Sequence, residues 1–251
     1  VDLKPHRILY WINPAPDDPA QFQEQAATVS SLYLQAAALH EHGTHLICCD
    51  EKTGMQALQR LHASKPAAPG FVERIEEHYI RRGTQCLTAN LEVATGRILT
   101  PTLASTRNEE DFANHILRTL STDLDGEWIF IIDNLNTHKS ESLVHLVAEL
   151  CDLDQELGVK GRGGIMRSTT TRAAFLADST HRIRFVYTPK RASWLNQVEL
   201  WFSILARRLL KRASFTSVDD LNTRVMAFID YFNLTIAKPF KWTYTGRPLV
   251  A

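Results

Sequence analysis

Three acids in this chain stand where chemistry could be done: Asp50, Asp133 and Glu199. Asp50 closes an apolar run at residues 45–49 (HLICC), and Asp133 closes another at 128–132 (WIFII). Runs of this kind read as strands covered on both faces. In an open α/β sheet, strand ends are where sites collect. Glu199 ends the stretch SWLNQVE, near the start of an apolar-faced helix. Three carboxylates gathered at one sheet edge repel one another and raise at least one pKa until a cation arrives. Hard oxygen donors without thiolates or paired histidines select Mg2+ or Mn2+. Two such ions about 4 Å apart can activate a water or a 3′-hydroxyl and stabilise the leaving oxygen of a phosphodiester. Each acid also has an ordinary role when taken singly. An aspartate at a strand end is commonly a turn or cap residue, and Glu199 alone fits a first-turn acid that complements the helix dipole.

The elements around these acids can be read from periodicity. Residues 183–187 (IRFVY) form a short strand, ended by Thr188-Pro189. Ser193 reads as the N-cap of a helix. On that helix Trp194, Leu195, Val198, Trp201, Phe202, Leu205 and Leu209 make one apolar arc, with Glu199 at its border and Arg207, Arg208 and Lys211 opposite. Upstream, Asp17-Asp18-Pro19 starts a helix whose stripe is Phe22, Ala26, Val29, Leu32, Leu34 and Ala37. Residues 51–83, with Pro66, Pro69, Gly70 and the charged stretch ERIEEHYIRRG, read as an excursion from the sheet, a lid or a partner-contacting arm. Residues 84–92 and 97–104 flank Ala94-Thr95-Gly96 and make a hairpin.

Asn108 caps a helix with Glu109, Glu110 and Asp111 in its first turn, as the dipole favours, and an apolar face of Phe112, Ile116, Leu117 and Leu120. A further helix covers 140–150. Residues 152–181, containing KGRGGIMRSTTTR, read as a mobile loop. Ser217 caps a last helix through about Asn233, with Leu221, Val225, Phe228, Ile229 and Phe232 inward and the KPFKW tail docked behind it.

Composition sets the outer bounds. The 251 residues fit one large domain or one domain with extensions. No apolar run approaches the ~20 residues that a membrane span requires, and no signal peptide opens the chain. A start on Val1 is that of a fragment or a processed form. Cys48, Cys49, Cys86 and Cys151 show neither CxxC spacing nor a zinc-type Cys/His cluster, so they read as small apolar residues in a reducing compartment. The zero net charge hides a polarity. From Lys160 onward there are 16 Lys+Arg against 5 Asp+Glu, and residues 1–159 carry 12 against 23. That asymmetry suits a basic face for a polyanion beside an acidic region that could hold cations.

Cys49-Asp50-Glu51, Asp133-Asn134 with Thr137-His138-Lys139, Thr188-Pro189 followed by SWLNQVE, and the KPFKW tail together resemble the catalytic domain of DDE transposases. The likeness is to the bacterial insertion-sequence branch of the mariner superfamily, and it covers nearly the whole chain. It implies an α/β, RNase H-like fold: a mixed central sheet flanked by helices, with a basic insertion before the last strand. The implied organisation is a linker and helical extension over 1–43, a catalytic domain over 44–212 with an insertion at about 152–181, and a helical tail over 213–251.

The resemblance further implies that Asp50, Asp133 and Glu199 are the catalytic and metal-binding triad for two Mg2+ (or Mn2+) ions. Asn134, Asn196 and His138 are then the candidates to support the acids from behind, although His138 and His145 by themselves read as helix-start and surface residues. Such an enzyme cleaves phosphodiester bonds at transposon ends and joins the 3′-hydroxyl to target DNA, typically at TA. Its implied partners are double-stranded DNA (transposon ends and target) and a second copy of the chain paired on DNA, with no membrane. Its implied location is the bacterial cytoplasm, at the nucleoid.

Two departures stand out. Sixty-five residues (134–198) separate Asp133 from Glu199, more than in the family's compact members, and the excess is the 152–181 segment. Its Lys160, Arg162, Arg167 and Arg172, with Lys190 and Arg191 after the next strand, are the candidate DNA contacts; a solvated spacer is the other reading. Of the helix-turn-helix modules that precede such domains, only the segment around Leu3-Lys-Pro-His6 and Tyr10-Trp11 remains, resembling the end of their linker. Two other functions fit parts of the pattern. A metal-dependent RNase H-like nuclease would keep the triad and perform no strand transfer. A domesticated DNA-binding protein would usually have lost an acid.

Overall fold

The computed structural model describes residues 18–244; the linker motif at Leu3–His6 and Tyr10-Trp11, and Asp17, lie outside them. Five strands form one mixed sheet. They are β1 (Thr44–Arg60), β2 (Tyr79–Glu92), β3 (Ile98–Ala104), β4 (Glu127–Ile132) and β5 (Ile183–Tyr187), in the order β3-β2-β1-β4-β5. β1 runs parallel to β4, and β4 to β5, whereas β2 is antiparallel to both β1 and β3. β4 is apolar along nearly all its length because helices cover both its faces. Ile129 and Ile131 share a core with α1 (Pro19–Glu41), α5 (Val198–Leu205) and α6 (Val218–Thr235). Trp128, Phe130 and Ile132 face α2 (Glu109–Leu120), α3 (Glu141–Leu150) and α4 (Thr169–Leu176).

Local signals account for most helix ends. Asp18 accepts from the amides of Ala20 and Gln21 to cap α1, and Asn108 forms a capping box with Asp111 at α2. Ser140 and Ser217 cap α3 and α6. The buried stripe of α1 is Phe22, Ala26, Val29, Tyr33 and Ala36, so Leu34, 74% exposed, and Ala37 are not on it. On α2, Leu117 likewise faces out.

Further expectations are corrected. β1 does not stop at Asp50 but continues to Arg60. Its ladder with β4 ends at Cys48↔Ile131, and beyond that it pairs only with β2. A strand with one neighbour no longer needs an unbroken apolar run, and a bulge at Gly54 (φ 68°) interrupts its alternation. The 51–83 segment is consequently a long two-stranded arm whose tip, beyond β1 and before β2, is closed by isolated bridges Lys65↔Arg74 and Ala68↔Phe71. Residues 152–181 are not a loop throughout: they hold a helical turn (Ile165–Arg167) and α4, anchored by buried Met166, Phe175 and Leu176. Finally, Ser193 does not cap α5. Residues Ser193–Leu195 form a separate 3-10 turn, Asn196 is extended (φ −79°, ψ 111°), and α5 begins at Val198. The extended residue at Asn196 breaks the helix there, and Trp194 is left 44% exposed against Tyr244.

Candidate active site

Asp50 and Asp133 each lie two residues past the last β1–β4 pair, Cys48↔Ile131. Two residues preserve the face of a strand. Leu46 and Cys48 on β1, like Ile129 and Ile131 on β4, contact the layer that contains α5, so both aspartates emerge toward Glu199. Glu51 takes the opposite face, toward α2 and α3. Its carboxylate, 5% exposed, lies 3.6 Å from Nε2 of His138 and 4.0 Å from Nη1 of Arg107.

Glu199 is held in place by the stretch before its helix. The Tyr33 hydroxyl donates to the Leu195 carbonyl (2.7 Å), and Asn196 Nδ2 donates to the Cys49 carbonyl (2.9 Å). Tyr33 is in turn packed edge-on by Trp242 of the KPFKW tail, with ring centroids 4.6 Å apart. α1, β1, the tail and the start of α5 thus form one unit around the third acid, and Asn196 couples Glu199 directly to the strand bearing Asp50.

The three acids sit in different fields. Burial pushes the Asp50 carboxyl up from 3.8 to about 7; Asp133 and Glu199 add to the rise, while the Glu51 amide, which donates to Asp50 at 2.7 Å, and His138 oppose it. Glu199 is also raised, by burial and by Asp133, with Lys52 opposing. Asp133 differs. Burial acts to raise it, yet the hydrogen bond from Nδ1 of His138 (2.7 Å), the charge of that ring, the Leu135 amide and Lys139 bring it below the usual carboxylate range. Burial lowers His138, but Asp133 and Glu51 outweigh it and lift the imidazole to about 9. His138 is therefore a fully buried cation between two carboxylates, not a surface residue.

Asn134 bridges Thr188 and Lys139, accepting from the Lys139 ammonium at 2.7 Å and donating to the Thr188 carbonyl. Lys139 also stands over the Tyr187 ring, 4.6 Å from its centroid. The candidate DNA contacts divide. Arg162, Arg167, Lys190 and Arg191 are exposed. Lys160 is exposed but paired with Glu109 (3.2 Å) and Glu141 (3.3 Å). Arg172 is corrected: it is buried, its Nε donating to the Lys139 carbonyl (2.6 Å) and Nη1 to the Met166 carbonyl (3.1 Å). It braces the turn that holds His138. Sequence reading missed Tyr33 and Lys52, and it quoted Glu51 and Lys139 in their motifs without giving either a role. For Glu51 the signal was present, since strand alternation after Asp50 sends it to the other face.

The donor oxygens of the three acids do not all come within 4.8 Å of one another. Like charges held apart by their own scaffolds suit a site completed by cations, and an all-carboxylate donor set fits Mg2+ or Mn2+. A mixed sheet in this order, helices on both faces and carboxylates where its parallel β1–β4 pairing stops define an RNase H-like fold of the nuclease type. The chain matches the family described as DDE superfamily endonuclease over residues 45–222 and belongs to it. It is a nuclease of the DDE transposase type.

Solved structures share its fold at low identity. The catalytic domain of Mos1 mariner transposase gives a TM-score of 0.52 at 10% identity, over 88% of this chain and 85% of that one. The Mos1 mariner paired end complex with Mn gives 0.51 at 11%, over 89% and 59%. The Mos1 strand transfer complex gives 0.52 at 12%, over 89% and 58%. This chain thus spans under two thirds of the transposase in those complexes. Among curated proteins none matches it significantly.

Proposed function

We propose that this chain is the catalytic domain of a DNA transposase. Divalent cations, Mg2+ or Mn2+, held by Asp50, Asp133 and Glu199 support cleavage of phosphodiester bonds at transposon ends and transfer of the freed 3′-hydroxyl into target DNA, with TA as the expected target. The observation that carries this reading is Asp50, an acid driven to about 7 beside two others at the end of the β1–β4 ladder, in a member of the DDE family. The Mos1 complexes with transposon ends and with Mn support it by analogy of fold.

This chain's own residues prepare the site. Asp133 stays ionised because His138 and the Leu135 amide favour its charged form, whereas burial raises Glu199 and Lys52 only partly offsets that rise. Asp50 gives up its proton when positive charge arrives. When bound, two ions supply activation of the attacking water or 3′-hydroxyl and stabilisation of the leaving oxygen. Exposed Lys190, Arg191, Arg162 and Arg167 supply phosphate contacts, which position DNA without reading its sequence. The arm exposes Leu61, Phe71, Val72 and Ile75, apolar surface suited to a second copy of the chain on DNA.

The test is a labelled, pre-cleaved duplex with a free 3′-hydroxyl, incubated with supercoiled plasmid and Mg2+ or Mn2+. Joined products at TA are expected. Nicking without joining would assign the chain to the RNase H-like nucleases, and metal-independent or absent activity would overturn the reading.

A further inference from the structure

A second cluster of ligand atoms lies at the other end of the sheet. His45 pairs with Trp128 near the start of the β1–β4 ladder, five residues before Asp50, or about 17 Å at a strand's rise. Its Nδ1 lies 2.9 Å from Oε1 of Glu92, at the end of β2, and the same oxygen lies 3.7 Å from Nδ1 of His40, in the last turn of α1. Among the described residues, these three form the group of His, Cys, Asp or Glu donors whose ligand atoms all fall within 4.8 Å of one another. A tetrahedral zinc ion with ligands at 2.0–2.1 Å separates them by about 3.3 Å. The observed 2.9 and 3.7 Å bracket that value.

Two further contacts hold the donors in a ligand's orientation. Nε2 of His45 donates to Oδ2 of Asp123 (3.1 Å), which fixes a proton on that nitrogen and turns Nδ1 toward Glu92 and His40. A carboxylate behind a ligating histidine is the usual way a metal site sets its tautomer. The Thr95 hydroxyl donates to Oε2 of Glu92 (2.6 Å), leaving Oε1 toward the histidines. His45 is also stacked on Trp128, with centroids 4.1 Å apart and planes 19° apart, so the ring is not free to swing.

We infer that His40, His45 and Glu92 form a transition-metal site, of which Zn2+ is the natural occupant. Two imidazoles and one carboxylate favour zinc over the hard cations that suit the triad. Three protein ligands leave a fourth position for water, and His40, 42% exposed at its side chain, gives access. An ion bound there would replace the direct His45 Nδ1–Glu92 contact, and because metal ligands must be deprotonated, its affinity falls in acid. The ion would clip the end of α1 to the start of β1 and the end of β2. The inference is independent of the transposase reading, because none of its ligands belongs to the triad.

The test uses the full chain carrying Asp50→Asn and Glu199→Gln, so that the triad does not compete, with Co2+ as a spectroscopic probe and Zn2+ as competitor. One equivalent of Co2+ should develop the visible absorption of tetrahedral coordination and be displaced by Zn2+. His40→Ala, at an exposed position, should keep the circular dichroism spectrum and lose at least about tenfold in Zn2+ affinity. Thr95→Val, which frees Glu92, should weaken binding by about tenfold, the effect of losing an outer hydrogen bond. Absence of the Co2+ band, or equal affinity in a folded His40→Ala variant and its parent, would overturn the site and leave a hydrogen-bonded cluster.

Discussion

Replacing Asp50 by asparagine should stabilise the metal-free protein above neutral pH. Asp50 is 8% exposed and its carboxyl is lifted from 3.8 to about 7. A carboxylate raised on folding contributes stability that is present below its unfolded pKa and is lost as pH rises through the folded one. The rise from 3.8 to about 7 corresponds to an upper bound of about 4 kcal/mol, at about 1.36 kcal/mol for a tenfold change in the ionisation constant. Spread over an unfolding entropy of about 2.1 cal/mol/K per residue, this is a rise in Tm of up to roughly 8 °C. Asparagine keeps the acceptor for the Glu51 amide and removes the charge. Thermal unfolding followed by circular dichroism in EDTA should show parent and Asp50→Asn converging near about pH 4 and diverging toward about pH 8, with the variant higher. Saturating Mg2+ should close the gap by raising the parent alone. Parallel Tm curves across that range, or a variant less stable at about pH 8, would refute the reasoning.

Other substitutions separate support from contact. His138, held as a cation up to about 9, contributes stability that is present below about pH 6.5 and lost as pH rises through about 9; His138→Gln should lower Tm at neutral pH and flatten the fall between about pH 7 and 9. Asn196→Ala leaves the Cys49 carbonyl without its partner, an expected loss of about 1–3 kcal/mol, and cleavage should slow with DNA affinity unchanged, read as kcat against KM. Arg172→Ala should lower Tm without changing DNA affinity, because its guanidinium serves backbone carbonyls. Arg162→Ala with Arg167→Ala should do the reverse, holding Tm and reducing the salt slope of duplex binding by about one per lost phosphate contact.

What was legible in the sequence follows from how local each signal is. β4 and β5 were readable because WIFII and IRFVY carry their own pattern, and α2 because Asn108 and Asp111 cap it within four residues. The second half of β1 was hidden, since a strand with one neighbour bears mixed side chains and a bulge at Gly54 shifts its alternation. α4 was masked by glycines and hydroxyls, with only Met166, Phe175 and Leu176 nearby to show that the segment packs. The acids themselves were marked by the ends of the apolar runs at 45–49 and 128–132 and by the SWLNQVE motif. Their supports were not, because the burial of His138 depends on Phe112 of α2, 4.2 Å away between ring centroids, and on Glu51 across the sheet. The cluster of His40, His45 and Glu92 joins residues up to 52 positions apart through the β1–β2 pairing and the end of α1, so no spacing announces it.

Single-turnover cleavage of a labelled duplex tests the triad most directly. Parent, Asp133→Asn and Glu199→Gln would be compared in EDTA and after Mg2+ or Mn2+ is restored, with circular dichroism and duplex affinity measured on the same samples. Cleavage by the parent is expected only when the cation is present, and none by either variant despite an intact fold and retained DNA binding. Cleavage by a folded Asp133→Asn or Glu199→Gln protein at the parent's rate, or by the parent in EDTA, would contradict this.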